Sequence, residues 1–168
     1  MSANAIFTKR LPAAGRSSVM EFFKAATLVV AVLTLFAGGE TRADEADDSE
    51  AAIIKLAEQQ EKLGFDFRAD IWQRELKPDL GKAVRIQLFK GNEYRVCVAV
   101  PPKSGVQIAA HVLDAEGNPV ESKVEASEGG WGVTLHVTPK RTGVFMVAIR
   151  RSGGKEKATI CAMISGYK

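Results

Sequence analysis

Cysteine, histidine, tryptophan and tyrosine each occur only twice in this 168-residue chain. Two histidines, His111 and His136, with no third ligand near either in sequence, make a poor zinc set. The chain has no G-x-S-x-G, H-E-x-x-H, P-loop, C-x-x-C or dinucleotide fingerprint. No two carboxylates fall in matching strand phase for acid–base work. The expectation is a protein that is not an enzyme and holds no metal and no cofactor. An excess of positive charge is missing too. Of the 23 Lys+Arg and 20 Asp+Glu, residues 1–43 hold five and two, leaving 18 of each in the remainder. A basic face for nucleic acid is therefore not expected. Composition excludes collagen, coiled-coil and multi-span membrane classes, and no repeat of fixed period occurs.

The one long apolar run, Ala25 to Ala37, has 13 residues, short of the ~20 that a spanning helix needs. Basic residues precede it (Lys9, Arg10, Arg16, Lys24), and Thr41-Arg42-Ala43 places small residues where a signal peptidase cuts after Ala43. Residues 1–43 thus read as a signal peptide, and the protein as periplasmic or secreted, touching the membrane only transiently. An uncleaved inner-membrane signal anchor is the alternative. Met20 opens a leader of more ordinary length than Met1 does. No cysteine follows the run, which argues against a lipoprotein anchor.

Residues 44–50 (DEADDSE) read as a solvated acidic tail, and the pattern from Ser49 as a helix ending at Gly64. Its apolar stripe (Ile53, Leu56, Ala57, Leu63) is narrow, which suits a helix lying on the domain; docking onto a partner is the sharper reading. Residues 44–66 are tail and helix, and residues 67–168 form the domain. There the period changes to two. Phe65–Leu76 contains a first strand. Val84–Leu88 and Tyr94–Val100 flank Gly91-Asn92 and read as a hairpin. Strands follow near Val106–Val112, Val120–Val124, Val133–Val137, Val144–Arg150 and Ala158–Ile164. Short strands punctuated by turns every 8–13 residues predict an all-β fold, an antiparallel jelly-roll or Ig-like β-sandwich with a short N-terminal helix.

In an exported protein the two cysteines invite pairing. Cys97 is out of phase with Val96, Val98 and Val100, and Cys161 with Ile160, Ala162 and Ile164. Equivalent faces of neighbouring strands follow from that phase, so a Cys97–Cys161 disulfide is expected, closing a loop worth roughly 4 kcal/mol in the entropy model.

VQIAAHVLDAEGNPV (Val106–Val120) followed by TPKRTGVFMVAIRR (Thr138–Arg151) resembles the bacterial pre-peptidase C-terminal domain. That family has a strand ending in an LDxxGN-type turn and a later TGxYxVxV-type strand. The resemblance spans about Gly91 to Ile164, with Phe145 where the family usually has tyrosine, and the two cysteines stand outside its general pattern. It implies a secreted jelly-roll-like sandwich acting as an accessory or binding module, and it supplies no catalytic residues.

The expected binding residues lie in two loops: Lys103 and Ser104 in Pro101–Gly105, and Glu128 and Trp131 in Glu125–Gly132. Trp131, flanked by Gly129, Gly130 and Gly132, is the candidate anchor for a sugar ring or a partner's apolar side chain; a tryptophan capping the core is the plainer reading. Asp114, Glu116 and Asn118 alternate oxygens, but the spacing lacks an EF-hand's twelfth-position acid, and a plain turn accounts for them. Lys140-Arg141, Arg150-Arg151, Lys155 and Lys157 read as solvated edges that discourage sheet pairing rather than as an anion site. The expected function is recognition of a protein or an envelope polysaccharide. The alternatives are a small secreted hydrolase or metal-dependent enzyme using His111 and His136, and a structural subunit of an envelope assembly docked through its helix.

Overall fold

A computed structural model describes residues 42–168 of the chain. The expected signal peptide lies outside the described residues except for Arg42 and Ala43. Among the described residues no helix is long and apolar enough to cross a membrane. Among the described residues nine strands follow one α-helix, α1, at residues 42–61. In chain order they are β1 (Asp66–Phe67), β2 (Trp72–Leu76), β3 (Lys82–Leu88), β4 (Tyr94–Ala99) and β5 (Val106–Leu113). β6 (Ser122–Ala126), β7 (Gly132–Val137), β8 (Gly143–Gly154) and β9 (Thr159–Tyr167) complete them.

The strands form two antiparallel sheets. The larger runs β1-β9-β4-β7-β6, with β2 also paired to β9; the smaller runs β3-β8-β5. Alternation along each strand turns valines and isoleucines inward. Val96, Val98 and Leu135 of the larger sheet meet Val112, Phe145, Val147 and Ile149 of the smaller in one core. An antiparallel β-sandwich is therefore the fold, as expected.

The hairpin expected around Gly91-Asn92 does not form. β3 pairs with β8, while β4 pairs with β7 and β9. The chain reverses there, but it crosses from one sheet to the other as it does so. Turn residues specify a reversal and leave the choice of partner to the buried faces, and both β3 and β4 find theirs farther along the chain.

The expected disulfide is also corrected: Cys97 and Cys161 are free and buried. Register explains why. Cys97 stands opposite Ile164 on β9, three residues from Cys161, and an odd offset puts two side chains on opposite faces of a strand. Cys161 points into the core between the sheets, whereas Cys97 lies on the outer face with Ala99, Ala162 and Ile164. β9 is apolar on both faces, so its alternation alone could not say which set was inward.

The larger sheet's outer face is apolar because α1 covers it. Ala52, Ile53, Leu56 and Ala57 are buried against Cys97, Ala99, Ala162 and Ile164. Gly132 allows the close approach, since a Cβ there would stand 2.8 Å from Leu56 Cδ1. The stripe read from sequence is thus occupied by the chain's own sheet at Ile53, Leu56 and Ala57, whereas Leu63 lies beyond α1 and is exposed. Gly64, at φ 88°, follows the helix end as expected.

Residues 44–50 are helical, not a tail, and Ser49 lies inside α1. Its buried hydroxyl donates to the Ala46 carbonyl at 2.8 Å, and Gln73 Nε2 donates to the same carbonyl at 2.9 Å and to Ser49 Oγ at 3.2 Å. A Lys157–Glu45 pair at 2.9 Å ties down the same stretch, and Arg42 just before it pairs with Glu75 at 2.8 Å. These contacts come from β2 and from the β8–β9 turn, remote in sequence, so local polarity did not announce them.

Candidate functional site

A concavity of about 1030 Å³ was not anticipated as a site. Its walls come from the β5–β6 connection, from the outward residues of β4, β6 and β7, and from the β7–β8 turn. At one end Asp114 organises its own turn. Its Oδ1 accepts the N–H groups of Glu116 and Asn118 at 3.1 and 2.8 Å, and its Oδ2 accepts Asn118 Nδ2 at 3.3 Å. Those backbone donors, chiefly that of Asn118, hold the Asp114 carboxyl below its usual range. Arg141 reaches across from the other turn, 2.7 Å from Glu116 Oε2 and 3.6 Å from Asp114 Oδ2. Its hydrogen bond to Glu116 raises the guanidinium pKa further. Lys140 pairs with Glu121 at 3.3 Å beside it. The turn role expected for Asp114 is the one it fills.

At the other end a cross-strand row runs Arg95–His136–Lys123 over β4, β7 and β6. Like charges directly opposite repel, and Glu125 relieves them. Its carboxylate lies 2.7 Å from Lys123 Nζ and 3.0 Å from His136 Nε2. The His136 contact is off the ring N–H direction, leaving Nε2 without an aligned hydrogen bond. Desolvation first, then the Arg95 charge, lowers the His136 pKa from 6.5. The bond from Lys123 lowers that of Glu125. Arg95 itself donates to Gln60 Oε1 at 3.2 Å and lies 4.1 Å over the Phe65 ring, so α1 positions it. The cleft is balanced in charge, with Pro119 and Val120 supplying apolar surface.

The loop residues expected to bind divide between two places. Glu128 and Trp131 line a smaller groove of about 530 Å³ with Lys55 and Gln59 of α1; Lys103 and Ser104 do not line it. Ser104 is buried, with its hydroxyl accepting the Val106 N–H at 3.1 Å, and so serves the backbone of its own turn. Lys103 is exposed at the 3-10 turn Pro102–Ser104. Trp131 is half-buried and packs on both apolar clusters, joining the core to the layer beneath α1. That packing is the core-capping arrangement, and it ties the indole to stability.

His111 and His136 do not meet. His111 lies on the outer face of the smaller sheet, opposite Ala148, and His136 on the outer face of the larger, so the sandwich separates them. Among the described residues no group of three His, Cys, Asp or Glu side chains comes together as a metal site. Burial pushes the Cys97 thiol up to about 11 and the Cys161 thiol to about 12, so neither is a ready nucleophile. Both turns of the main cleft were visible in sequence. Their meeting depends on the β5–β8 register, Leu113 opposite Met146, which no local signal encodes.

No protein-family model matches the chain, and no curated protein matches it in sequence. The resemblance of Val106–Val120 and Thr138–Arg151 to the pre-peptidase C-terminal domain rests on those two segments alone.

Proposed function

We propose that the chain is an exported, non-catalytic β-sandwich module that binds a polysaccharide of the cell envelope in the Asp114–Arg141 cleft. The observation that carries this reading is the cleft's charge balance. Carboxylates (Glu93, Asp114, Glu116, Glu121) and cations (Arg95, Lys123, Lys140, Arg141) line it in equal number, so a ligand of strong net charge gains little there. Sugar hydroxyls both donate and accept, and can engage both kinds of group, while exposed Pro119 and half-buried Val120 offer an apolar surface to a sugar's C–H face. Export rests on the pattern of residues 1–43, and N-terminal sequencing of the protein from the envelope fraction should begin at Asp44.

A protein partner is the second reading, favoured by the smaller sheet's outer face, where Val144 is 48% exposed and Met146 and Ala148 are half-exposed. Co-purification from the native envelope fraction, with glycan and protein analysis of what is retained, separates the two. Glycan retained by the wild type and lost in Arg141→Ala, at unchanged melting temperature, supports the cleft. A single protein retained equally by both overturns it in favour of the sheet face.

A further inference from the structure

The three strands of the smaller sheet carry Lys82, Arg85, His111, Arg150 and Arg151, and no aspartate or glutamate. Six cations elsewhere, Arg42, Lys123, Lys140, Arg141, Lys157 and Lys168, lie within 4.0 Å of a carboxylate. Among the described residues Lys82, Arg150 and Arg151 have no such partner. They converge with His111 on a pocket of about 540 Å³, walled by the Pro78–Gly81 loop, in which Asp79 is the one carboxylate. The cross-strand row Ala83–Ala148–His111 crosses this region, and its two alanines leave room above the sheet.

Successive residues of a regular strand face opposite ways, yet Arg150 and Arg151 line the same pocket. Arg150 stands opposite Ala109 and Arg151 opposite Ile108, and a β-bulge follows directly, pairing passing from Ile108–Arg151 to Gln107–Gly153 with Ser152 as the extra residue. Bulges of this kind twist a strand and re-aim its side chains. Arg151 Nε is moreover shut off from solvent with no acceptor. A buried donor without a partner is costly, and it is the group an incoming oxygen would satisfy.

We propose that the Lys82–His111–Arg150–Arg151 pocket is an oxyanion site that takes a phosphate group. Two guanidinium forks and an ammonium, none within 4.0 Å of a carboxylate although Asp79 stands in the wall, match its charge and its several acceptor oxygens. The site is separate from the Asp114–Arg141 cleft and does not depend on it.

Titrating inorganic phosphate into the isotope-labelled full chain, at constant ionic strength, tests this by NMR. Saturable shifts confined to residues 78–83, His111 and 148–151 are expected. Losing one charge-assisted fork in Arg150→Gln, an exposed position, should weaken binding about tenfold. Lys62→Gln, on an exposed lysine beyond α1, should leave it unchanged. Phosphatidylglycerol vesicles distinguish the source. Retention that Arg150→Gln abolishes assigns a lipid headgroup, and phosphate binding without retention assigns a soluble phosphate; both support the site. No saturable shift, or shifts spread over other surface cations and indifferent to Arg150→Gln, overturns it.

Discussion

The two outer faces of the sandwich are built from similar small residues and end in different states. Cys97, Ala99 and Ala162 on the larger sheet are sealed beneath α1. Ala83, Ala109 and Ala148 occupy comparable positions on the smaller sheet, where no described element covers them. Small side chains let a helix approach the first face, and on the second they floor a shallow pocket. What differs is the surroundings. The covered face has apolar neighbours such as Ile164 and receives Ile53 and Leu56, whereas the open face is bordered by arginines with no acid on its strands. A small residue on a strand therefore carries no fixed meaning; what packs on it decides whether it is core or surface.

That contrast can be broken or sharpened by substitution. The largest effect is expected for Ile53→Ala. Ile53 is fully buried, and removing it should cost about 2–5 kcal/mol in chemical denaturation. A cost near zero would mean that α1 contributes little to the fold. Next, Ala99→Leu should overpack the covered face at a cost of about 1–3 kcal/mol. Its counterpart on the open face, Ala148→Leu, should stay within about 0.5 kcal/mol. Equal costs would erase the distinction between the faces.

Trp131→Ala should cost about 2 kcal/mol from lost burial, because the indole touches both clusters; an unchanged melting temperature would restore it as a free anchor. The thiols test register more gently. In the native protein a chromogenic thiol reagent should find neither cysteine readily, and in denaturant without reductant it should find both. One bond between them would contradict the opposite-face placement. The smallest effect concerns His136. Its pKa is lower folded than unfolded, so between the two values the unfolded chain binds more protons and stability rises with pH. Stability should be fully present above pH 6.5 and decline as pH falls through the depressed value, a slope that His136→Asn should flatten.

Much of the fold was legible because burial leaves a period-two trace. Val106, Ile108, Ala110 and Val112 alternate in the sequence and face the core in the structure. The turn at Asp114 was legible for the same local reason, since its side chain bonds backbone only two and four residues on. Pairing was not. Gly91-Asn92 looks like a hairpin turn and is a crossover between sheets. The polar stretch 44–50 looks like a tail and is helix, because Gln73 and Lys157 hold it. The main cleft was missed because its two halves, near Asp114 and near Arg141, lie 27 residues apart.

The sequence by itself determined where the strands lie, which side of most of them is apolar, and that the part after residue 43 is charge-balanced, because these properties depend on neighbours along the chain. Tertiary structure alone decided which strands pair, that Cys97 and Cys161 look away from each other, and that Lys82 and His111 join Arg150 and Arg151. Register sets all three, and register follows from how two sheets and a helix bury their faces together, a condition on the whole chain that no single segment contains.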